Sequence, residues 1–297
     1  MRSSRLKSIG LALAGSFLAL GTTATAVPSA TAATAATGAM ATSRAKPMTT
    51  TSYPNSMDAL GDSMTRAFNT DCPSAWTDCP ANSWSTGTNS AVNSYYLRLR
   101  SLNPAIDGNN FNDAISGDKM FDLQRQASSA VLRNAGLVTI LMGNNDACGG
   151  ASGAMTSVSD FKSQFTAALN TLATQAPNTQ VRVASLPDAY QLWTLFHNDP
   201  AAVNAWQTYN ECNALLLNPT STAQADVDRR AAFRQREIDY NTVLGQVCAQ
   251  YTNCRYDGGA NFNVTFTTGD VSTDDYFHPS TAGQAALAAS EWSTNGF

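Results

Sequence analysis

The chain has 297 residues, with 18 Lys and Arg against 22 Asp and Glu, and its formal net charge is −4. The basic residues are scattered apart from Arg229-Arg230, so neither a nucleic acid nor an anionic membrane surface is indicated as a partner.

The N-terminus has the layout of a secretory signal peptide. Three basic residues among the first seven precede an apolar stretch over residues 9–20. Small residues then offer cleavage near Ala26 or Ala32, so we expect a signal peptide of residues 1–26 and a secreted protein. The apolar stretch is shorter than the about 20 residues that span a bilayer, which argues against an integral membrane anchor.

Residues 27–52 consist mainly of Ala, Thr, Ser and Pro. They contain too few large apolar groups to offset the entropy of ordering, so they are predicted to form a flexible leader or propeptide. Residues 53–297 show no linker, repeat or second long apolar run. We therefore expect one folded domain there, of a size that suits an α/β fold.

Six cysteines in an exported chain indicate disulfides, and the even number leaves no thiol over. Two pairs lie close together in the sequence, so local closure costs little entropy, and the remaining two cysteines then pair with each other. The expected disulfides are Cys72–Cys79, Cys148–Cys212 and Cys248–Cys254. A metal site is the alternative, but it requires closer cysteines or clustered histidines, and the chain has only two histidines. We expect no metal and no cofactor.

Apolar periodicity predicts strands that alternate with helices along the domain. The predicted strands cover residues 57–60, 137–142 and 180–186, with shorter strand-like pieces near Arg255 and Val264. The predicted helices cover residues 91–102, 160–175, 201–217, 222–251 and 280–292. A further helix is predicted between Asp118, which caps it, and Gly136, which ends it. Its apolar stripe, which includes Phe121 and Leu132, is expected to face the core.

This alternation predicts a three-layer α/β/α fold, with a mainly parallel central sheet covered by helices on both faces. In such sheets, active sites form beyond the carboxyl ends of the strands.

Four separate segments carry side chains suited to nucleophilic catalysis at that edge. They are Gly61-Asp62-Ser63, Asn112-Asp113-Ala114-Ile115-Ser116-Gly117, Gly143-Asn144-Asn145-Asp146 and Asp275-Tyr276-Phe277-His278. Ser63 follows the first predicted strand, and its hydroxyl is inert at neutral pH until a base accepts its proton. His278 is the best base available, and Asp275 is near enough in the sequence to orient the imidazole ring. Asp274 and His197 are the alternatives as acid and base.

In this order and with these spacings, the four segments resemble the sequence blocks of the SGNH (GDSL-type) hydrolases, a family of esterases and lipases. The resemblance implies an SGNH-hydrolase, flavodoxin-like fold, and its spacing of acid and histidine selects Asp275 over Asp274. It also implies an oxyanion hole formed by the Ser63 and Gly117 N–H groups and the Asn145 side chain. The chain has no Gly-x-Ser-x-Gly elbow, which argues against an ordinary α/β-hydrolase.

A closer resemblance, to the phospholipase B branch of that family, is carried by three segments. They are Asp58-Ala59-Leu60-Gly61-Asp62-Ser63, Ser83-Trp84-Ser85-Thr86-Gly87 and Gly143-Asn144-Asn145-Asp146-Ala147-Cys148. The chain departs from that branch after the nucleophile, where Met64-Thr65-Arg66-Ala67 replaces the usual residues. Arg66 there would either bind an anionic head group or pair with a structural acid.

Several aromatic residues in or beside the loops near the site are candidates for an acyl pocket, and others among them belong to the core. The candidates are Trp76, Trp84, Tyr95, Tyr96, Trp193 and Phe196. The loop between Cys72 and Cys79 is either a rim over the site or a stapled surface loop.

The sequence therefore predicts a secreted, metal-independent serine esterase that transfers an acyl group to water. The expected substrate is a small-molecule or lipid ester, preferably a lipid or phospholipid acyl ester by the resemblance above, and we expect a monomer. One alternative is a carbohydrate O-acetyl esterase, which the same site would serve. The other is a non-catalytic secreted binding protein, whose mark would be a broken triad.

Overall fold

The computed structural model describes residues 53–149 and 154–297. The predicted signal peptide and leader, residues 1–52, therefore lie outside the described residues. Among the described helices, none combines the length and the apolar character that a membrane crossing requires.

Five strands form one sheet in which every neighbouring pair is parallel. They are β1 (Met57–Gly61), β2 (Asn110–Asn112), β3 (Leu137–Leu141), β4 (Gln180–Val183) and β5 (Cys254–Tyr256). Their order is β2-β1-β3-β4-β5, which is the flavodoxin-like arrangement. The strands β1 and β3 lie side by side in the middle and are buried along their whole length, as expected of apolar strands covered on both faces.

Helices connect these strands. In the described ranges they are α1 (Ser63–Arg66), α2 (Tyr95–Leu102), α3 (Leu123–Leu132), α4 (Asn144–Cys148), α5 (Val158–Gln175), α6 (Tyr190–Phe196), α7 (Pro200–Tyr209), α8 (Asn213–Leu216), α9 (Gln224–Cys248) and α10 (Thr281–Asn295). Helix α5 packs against both α3 and α9, and α2 packs against α10.

The two faces of the sheet bury separate clusters of apolar side chains. Leu60 and Val138 belong to the larger cluster, which includes residues of α3, α5 and α9. Met57 and Leu137 belong to the smaller one with residues of α2, and Trp292 of α10 packs against it. Since neighbouring residues of a strand point to opposite faces, helices cover both sides of the sheet. The prediction of a three-layer α/β/α fold with a mainly parallel sheet is confirmed.

The predicted apolar stripe of the helix after Asp118 is confirmed in part, because Met120, Leu123 and Ala127 are buried. A short 3₁₀ turn, Met120–Asp122, precedes α3, so the α-helix itself starts only at Leu123. The buried residues of α3 are Leu123, Gln126, Ala127 and Ala130. Phe121 and Leu132, which were expected to point inward, are 75% and 88% exposed.

The carboxyl end of β1 is shaped by one glycine. Gly61 has φ 154°, and a Cβ placed on it would lie 2.4 Å from the Leu141 carbonyl oxygen, so only glycine lets β1 and β3 approach this closely. The buried amide of Gln126 holds the same residue: its Oε1 accepts from the Gly61 N–H at 2.8 Å, and its Nε2 donates to the Gly61 carbonyl at 2.9 Å. The chain is thereby fixed just before it turns into α1 and presents Ser63.

The three disulfides join Cys72 to Cys79, Cys148 to Cys212 and Cys248 to Cys254, which are the pairs expected from the sequence. The second bond links the end of α4 to the residue before α8, and the third links the end of α9 to the start of β5. The second bond therefore joins two helical segments, and the third ties α9 to the edge strand of the sheet.

Candidate active site

Ser63, His278 and Asp275 form a continuous row at the carboxyl edge of the sheet. Ser63 begins α1 directly after β1, and the other two lie just before α10. The Ser63 Oγ is 2.8 Å from the His278 Nε2, and the His278 Nδ1 is 2.7 Å from the Asp275 Oδ2. Asp275 is fully buried, and His278 nearly so. The arrangement has the geometry of a nucleophile, a base and an orienting acid.

Three further donors hold the carboxylate of Asp275. Its Oδ1 accepts from the N–H groups of Phe277 at 2.8 Å and of His278 at 2.9 Å. Its Oδ2 accepts from the side-chain amide of Asn69 at 2.6 Å. Asn69 is fully buried. Sequence reasoning missed it, because a single asparagine in a loop carries no periodic or spacing signal.

The turn between acid and base has an uncommon backbone. Tyr276 has φ 55°, in the left-handed region that bulky side chains rarely adopt. Its N–H donates to the Ser272 carbonyl at 2.9 Å, and its own carbonyl accepts from the Trp206 Nε1 at 3.0 Å. The Tyr276 ring also packs edge-on against Phe196. These contacts hold a strained turn that brings the side chains of Asp275 and His278 together.

Electrostatics at the site favour a protonatable histidine beside an ionised acid. Burial acts to lower the pKa of His278, but the charge of Asp275 and the hydrogen bond to it prevail, and the net pKa lies above the ordinary 6.5. Burial acts to raise the pKa of Asp275, but the charge of His278 and the hydrogen bonds from His278 and Asn69 lower it below the ordinary value. Asp62 is also buried under the site, and burial raises its pKa to about 7.

The predicted oxyanion donors follow β1 and its two neighbours in the sheet. Ser63 follows β1, Gly117 lies in the loop after β2, and Asn145 lies in α4 after β3. Among the described residues, neither the Ser63 nor the Gly117 N–H has a protein acceptor. The Asn145 Nδ2 donates one hydrogen bond to the Asp118 carbonyl at 3.0 Å, which orients the amide. Their role as an oxyanion hole stays a prediction.

The sequence neighbours of Ser63 and His278 line an apolar pocket, although Ser63, His278 and Asp275 themselves do not line it. Met64, the residue after Ser63, lines it, as do the residues on either side of His278, Phe277 and Pro279. Leu192, Phe266 and Val271 complete its apolar wall.

The aromatic residues proposed from the sequence lie elsewhere. None of the six lines this pocket. Trp84, Tyr95 and Tyr96 are buried in the core. The pocket wall instead comes from residues next to the catalytic ones in the sequence and from α6 with the segment before α10.

The loop between Cys72 and Cys79 borders the site and also explains Arg66. Asp78 in this loop accepts from the Arg66 Nε at 3.0 Å and from the Ser116 Oγ at 2.5 Å. Arg66 therefore pairs with an acid of the protein, in agreement with the structural interpretation of that residue. Because Ser116 precedes Gly117, the same carboxylate connects α1 with the loop that carries a predicted oxyanion donor.

The two alternative residues do not contact the nucleophile. The ring of His197 stacks on Trp193, and its nitrogens lie 2.8 Å from the Trp193 carbonyl and 3.0 Å from the Asn198 amide. Asp274 has no hydrogen bond to His278, whose Nδ1 contacts Asp275 instead. In the part of the chain that the structure describes, no cluster of three or more His, Cys, Asp or Glu side chains is arranged to hold a metal ion.

A protein-family model described as "GDSL-like Lipase/Acylhydrolase" matches residues 59–290, so the chain belongs to that family. Membership implies an esterase or lipase activity in general. A comparison with curated proteins gave no significant match.

The solved structures to which this chain is similar include the following three. An extracellular lipase from Streptomyces rimosus is 18% identical, with a TM-score of 0.49, and the match covers 81% of this chain and 99% of that one. Phospholipase A1 from Streptomyces albidoflavus is 16% identical, with a TM-score of 0.42 and coverage of 80% and 98%. A family 3 carbohydrate esterase from Clostridium thermocellum is 13% identical, with a TM-score of 0.44 and coverage of 80% and 94%.

Proposed function

We propose that this protein is a secreted serine esterase that hydrolyses carboxylic esters, with lipid or phospholipid acyl esters as its preferred substrates. The observation that carries the proposal is the hydrogen-bonded row in which the Ser63 Oγ lies 2.8 Å from the His278 Nε2 and His278 lies 2.7 Å from Asp275. An intact row of this kind also argues against a non-catalytic binding protein.

The reaction proceeds in two acyl transfers. The Ser63 Oγ attacks the ester carbonyl carbon while the His278 Nε2 accepts the hydroxyl proton, and Asp275 stabilises the resulting imidazolium. The carbonyl oxygen becomes an oxyanion, which the Ser63 and Gly117 N–H groups and the Asn145 amide stabilise. His278 then protonates the leaving alkoxide, and an acyl-Ser63 ester remains. Water attacks that ester with His278 again as base, which releases the acid and restores Ser63.

The apolar pocket supports the preference for a lipid acyl group. Met64, Phe277 and Pro279, the sequence neighbours of Ser63 and His278, line this pocket, and we propose that the acyl chain of the substrate lies against it. Each methylene that leaves water for such a surface favours binding by about 0.8 kcal/mol. A carbohydrate O-acetyl esterase, the alternative, would gain nothing from chain length.

Export and processing belong to the same proposal. We propose a signal peptide of residues 1–26 with cleavage near Ala26 or Ala32, a leader of residues 27–52 and a catalytic domain of residues 53–297. The three disulfides of the domain support an oxidising destination, because such bonds persist outside the cytosol.

The test is an ester panel on the secreted protein, with and without a fluorophosphonate probe. Acetyl to palmitoyl p-nitrophenyl esters, a phosphatidylcholine and acetylated xylan are compared. We expect probe-sensitive release of long acyl chains, and Ser63→Ala should lower kcat by at least about 10⁴-fold. Ser128→Ala, an exposed serine on α3, serves as the matched control.

The outcomes separate the candidates. Activity on the acetyl ester that vanishes by octanoate, together with acetate release from xylan, would assign the protein to carbohydrate deacetylation. Turnover by Ser63→Ala at the parent rate would refute the nucleophile. An absence of both turnover and labelling would leave a binding protein.

A further inference from the structure

Two exposed aromatic rings stand at the outer side of the catalytic row. Trp76 and Tyr209 are 42% and 48% exposed, and their ring centroids are only 4.2 Å apart. Phe68 connects them to the site: its centroid is 6.2 Å from that of Trp76 and 5.1 Å from that of the His278 ring. A file of aromatic rings thus runs from the base of the triad to the surface.

Contacts within the protein hold the backbone of Trp76. Its backbone is left-handed, with φ 62°, which is uncommon for a tryptophan. Its N–H donates to the Asn69 Oδ1 at 2.5 Å, and the Cys72–Cys79 disulfide closes the loop around it. A large apolar side chain that is held in a strained conformation and yet half exposed points to a recognition role rather than to packing.

A carboxylate without an arginine or lysine partner in the described part of the chain lies near the triad, two residues after Tyr209 in the sequence. This residue, Glu211, is partly buried. Burial raises its pKa, the charge of His278 lowers it and that of Asp275 raises it; the influence is mutual, since Glu211 in turn raises the pKa of His278. Among the described residues, no arginine or lysine pairs with the Glu211 side chain.

The rings themselves also lack a cation from the protein. Six aromatic rings of the described residues carry an arginine over their face, but neither Trp76 nor Tyr209 is among them. Arg66, on the nucleophile helix α1, is already paired with Asp78. Electron-rich ring faces and a carboxylate near the same end of the triad both attract a cation, and a bulky, weakly hydrated cation is attracted most favourably by the rings.

We propose that Trp76, Tyr209 and Glu211 form a subsite for a quaternary ammonium group, such as the choline of a lipid ester's head group. The proposal rests on the proposed esterase function and names the leaving-group side of the same substrate. Trp76 lies two ring contacts outward from His278 and Tyr209 lies three, which suits a cation separated from the ester by several bonds rather than adjacent to it. A sugar ring would also stack on these side chains, but the carboxylate would add nothing specific to that contact.

The experiment compares two soluble phospholipids that differ in one atom of the head group. Diheptanoyl-phosphatidylcholine is measured against the same lipid with a 3,3-dimethylbutyl group in place of choline, both below their micelle concentrations. We expect kcat/KM to favour the choline lipid by about tenfold, the size of one favourable cation–aromatic contact with an acid. Trp76→Ala, Tyr209→Ala and Glu211→Gln should each reduce this ratio by about threefold or more. Because the ratio compares two substrates of one protein sample, partial misfolding cancels.

Two surface variants serve as controls. Leu132→Ala removes an apolar side chain that is 88% exposed at the end of α3, and Asp228→Asn removes an exposed charge on α9. Both should keep the parent ratio. A parent ratio near one, or a ratio that the three subsite variants leave unchanged, would overturn the subsite while the esterase proposal stands.

A binding measurement tests the subsite independently of ester hydrolysis. In the Ser63→Ala protein, phosphocholine and 3,3-dimethylbutyl phosphate are titrated by calorimetry. We expect phosphocholine to bind at least about tenfold more tightly, and the double variant Ser63→Ala with Trp76→Ala to lose the difference. Equal binding of the two compounds, or binding of neither, would refute the subsite even if the protein hydrolysed no ester. Selective phosphocholine binding by a protein without esterase activity would support the subsite and refute the proposed reaction.

Discussion

The pH response of the site depends first on one residue, His278. Its pKa lies above 6.5, because the negative charges around it outweigh the effect of burial. As the general base, the ring must be neutral in order to accept the Ser63 proton. A raised pKa therefore keeps a larger fraction of the protein inactive at slightly acidic pH.

We expect kcat/KM to fall on the acid side with an apparent pKa above about 6.5, the value of an ordinary histidine. The check is a profile of kcat/KM for a soluble ester between about pH 4 and 9. A rate that stays constant down to about pH 4 would rule out His278 as the base.

The ionisation of Asp62 must be distinguished from that of His278 in this profile, because burial raises the pKa of Asp62 to about 7. Asp62→Asn removes this carboxyl, so an acid limb that persists in the variant belongs to His278.

Asp275→Asn should lower kcat by about 10⁴-fold, because the amide favours the wrong tautomer of the His278 ring.

At the scale of elements, the loop closed by Cys72 and Cys79 is coupled to the acid of the triad. Asn69 connects them, because its Oδ1 accepts from the Trp76 N–H while its Nδ2 donates to Asp275. The loop also supplies Asp78, which binds α1 through Arg66. The conformation of a surface loop is thereby linked to the orientation of a buried carboxylate.

Removal of the Asn69 amide should lower kcat/KM by about tenfold, the cost of one lost hydrogen bond to a buried charge. The amide stabilises the carboxylate of Asp275, so its loss strengthens the pull of that carboxylate on the ring proton and raises the pKa of His278. We therefore expect the acid limb of the rate profile to move to higher pH in Asn69→Ala.

Two further variants test this prediction. Asn69→Gly tolerates the left-handed backbone at this position, φ 54°, and should show the same shift with less loss of stability. Asn82→Ala removes a loop amide that donates to the Thr70 carbonyl and does not reach Asp275, so its acid limb should coincide with that of the parent. If the acid limb of the kcat/KM profile lies at the parent's pH in both Asn69 variants, Asn69 contributes to stability and not to the pKa of His278.

Helix α3 shows where prediction from the sequence fails. Leu132 lies five residues after the buried Ala127, about 140° around the helix, so it falls outside the buried stripe although it is apolar. Gln126, a polar residue, occupies a buried position and clamps Gly61. Periodicity treats a buried glutamine as an error in the pattern, because the partner that satisfies its amide is distant in the sequence.

At the scale of the whole molecule, the strand that the sequence did not indicate is β2. The predicted strands at residues 57–60, 137–142, 180–186 and near Arg255 correspond to β1, β3, β4 and β5, whereas β2 reads Asn110-Phe111-Asn112 and lies at the edge of the sheet, where polar residues are tolerated. The motif residues Ser63, Asp275 and His278 came from spacing and resemblance. Asn69 and the pocket-lining Leu192 and Phe266 meet the site only through the fold, so no local pattern indicates them.

Several buried acids make the stability of the whole molecule depend on pH. Burial raises the pKa of Glu291 to about 8 and that of Asp58 to about 8, and it raises the pKa of Glu237 well above its usual value. A carboxyl with a higher pKa in the folded than in the unfolded chain binds more protons when folded between those two values. The free energy of unfolding therefore falls as the pH rises through this window.

Glu291→Gln tests that dependence at one fully buried residue. The glutamine cannot ionise, so the free energy of unfolding of the variant should not show the decrease that Glu291 causes in the parent. The difference, variant minus parent, should therefore rise between pH 5 and 8, by up to about 1.4 kcal/mol per pH unit. Urea unfolding across this range gives the measurement, with the exposed Asp228→Asn as control. Two parallel stability curves for the parent and Glu291→Gln would contradict the raised pKa of Glu291.

Ser63 and His278 are separated by 215 positions of the chain, while His278 and Asp275 are separated by 3. During synthesis, Ser63 therefore leaves the ribosome long before the segment that contains Asp275 and His278. By the proposed mechanism, a growing chain that still lacks this segment carries the serine but has no base to accept its proton. Ester hydrolysis would then begin only after that later segment has been made and has packed against α1.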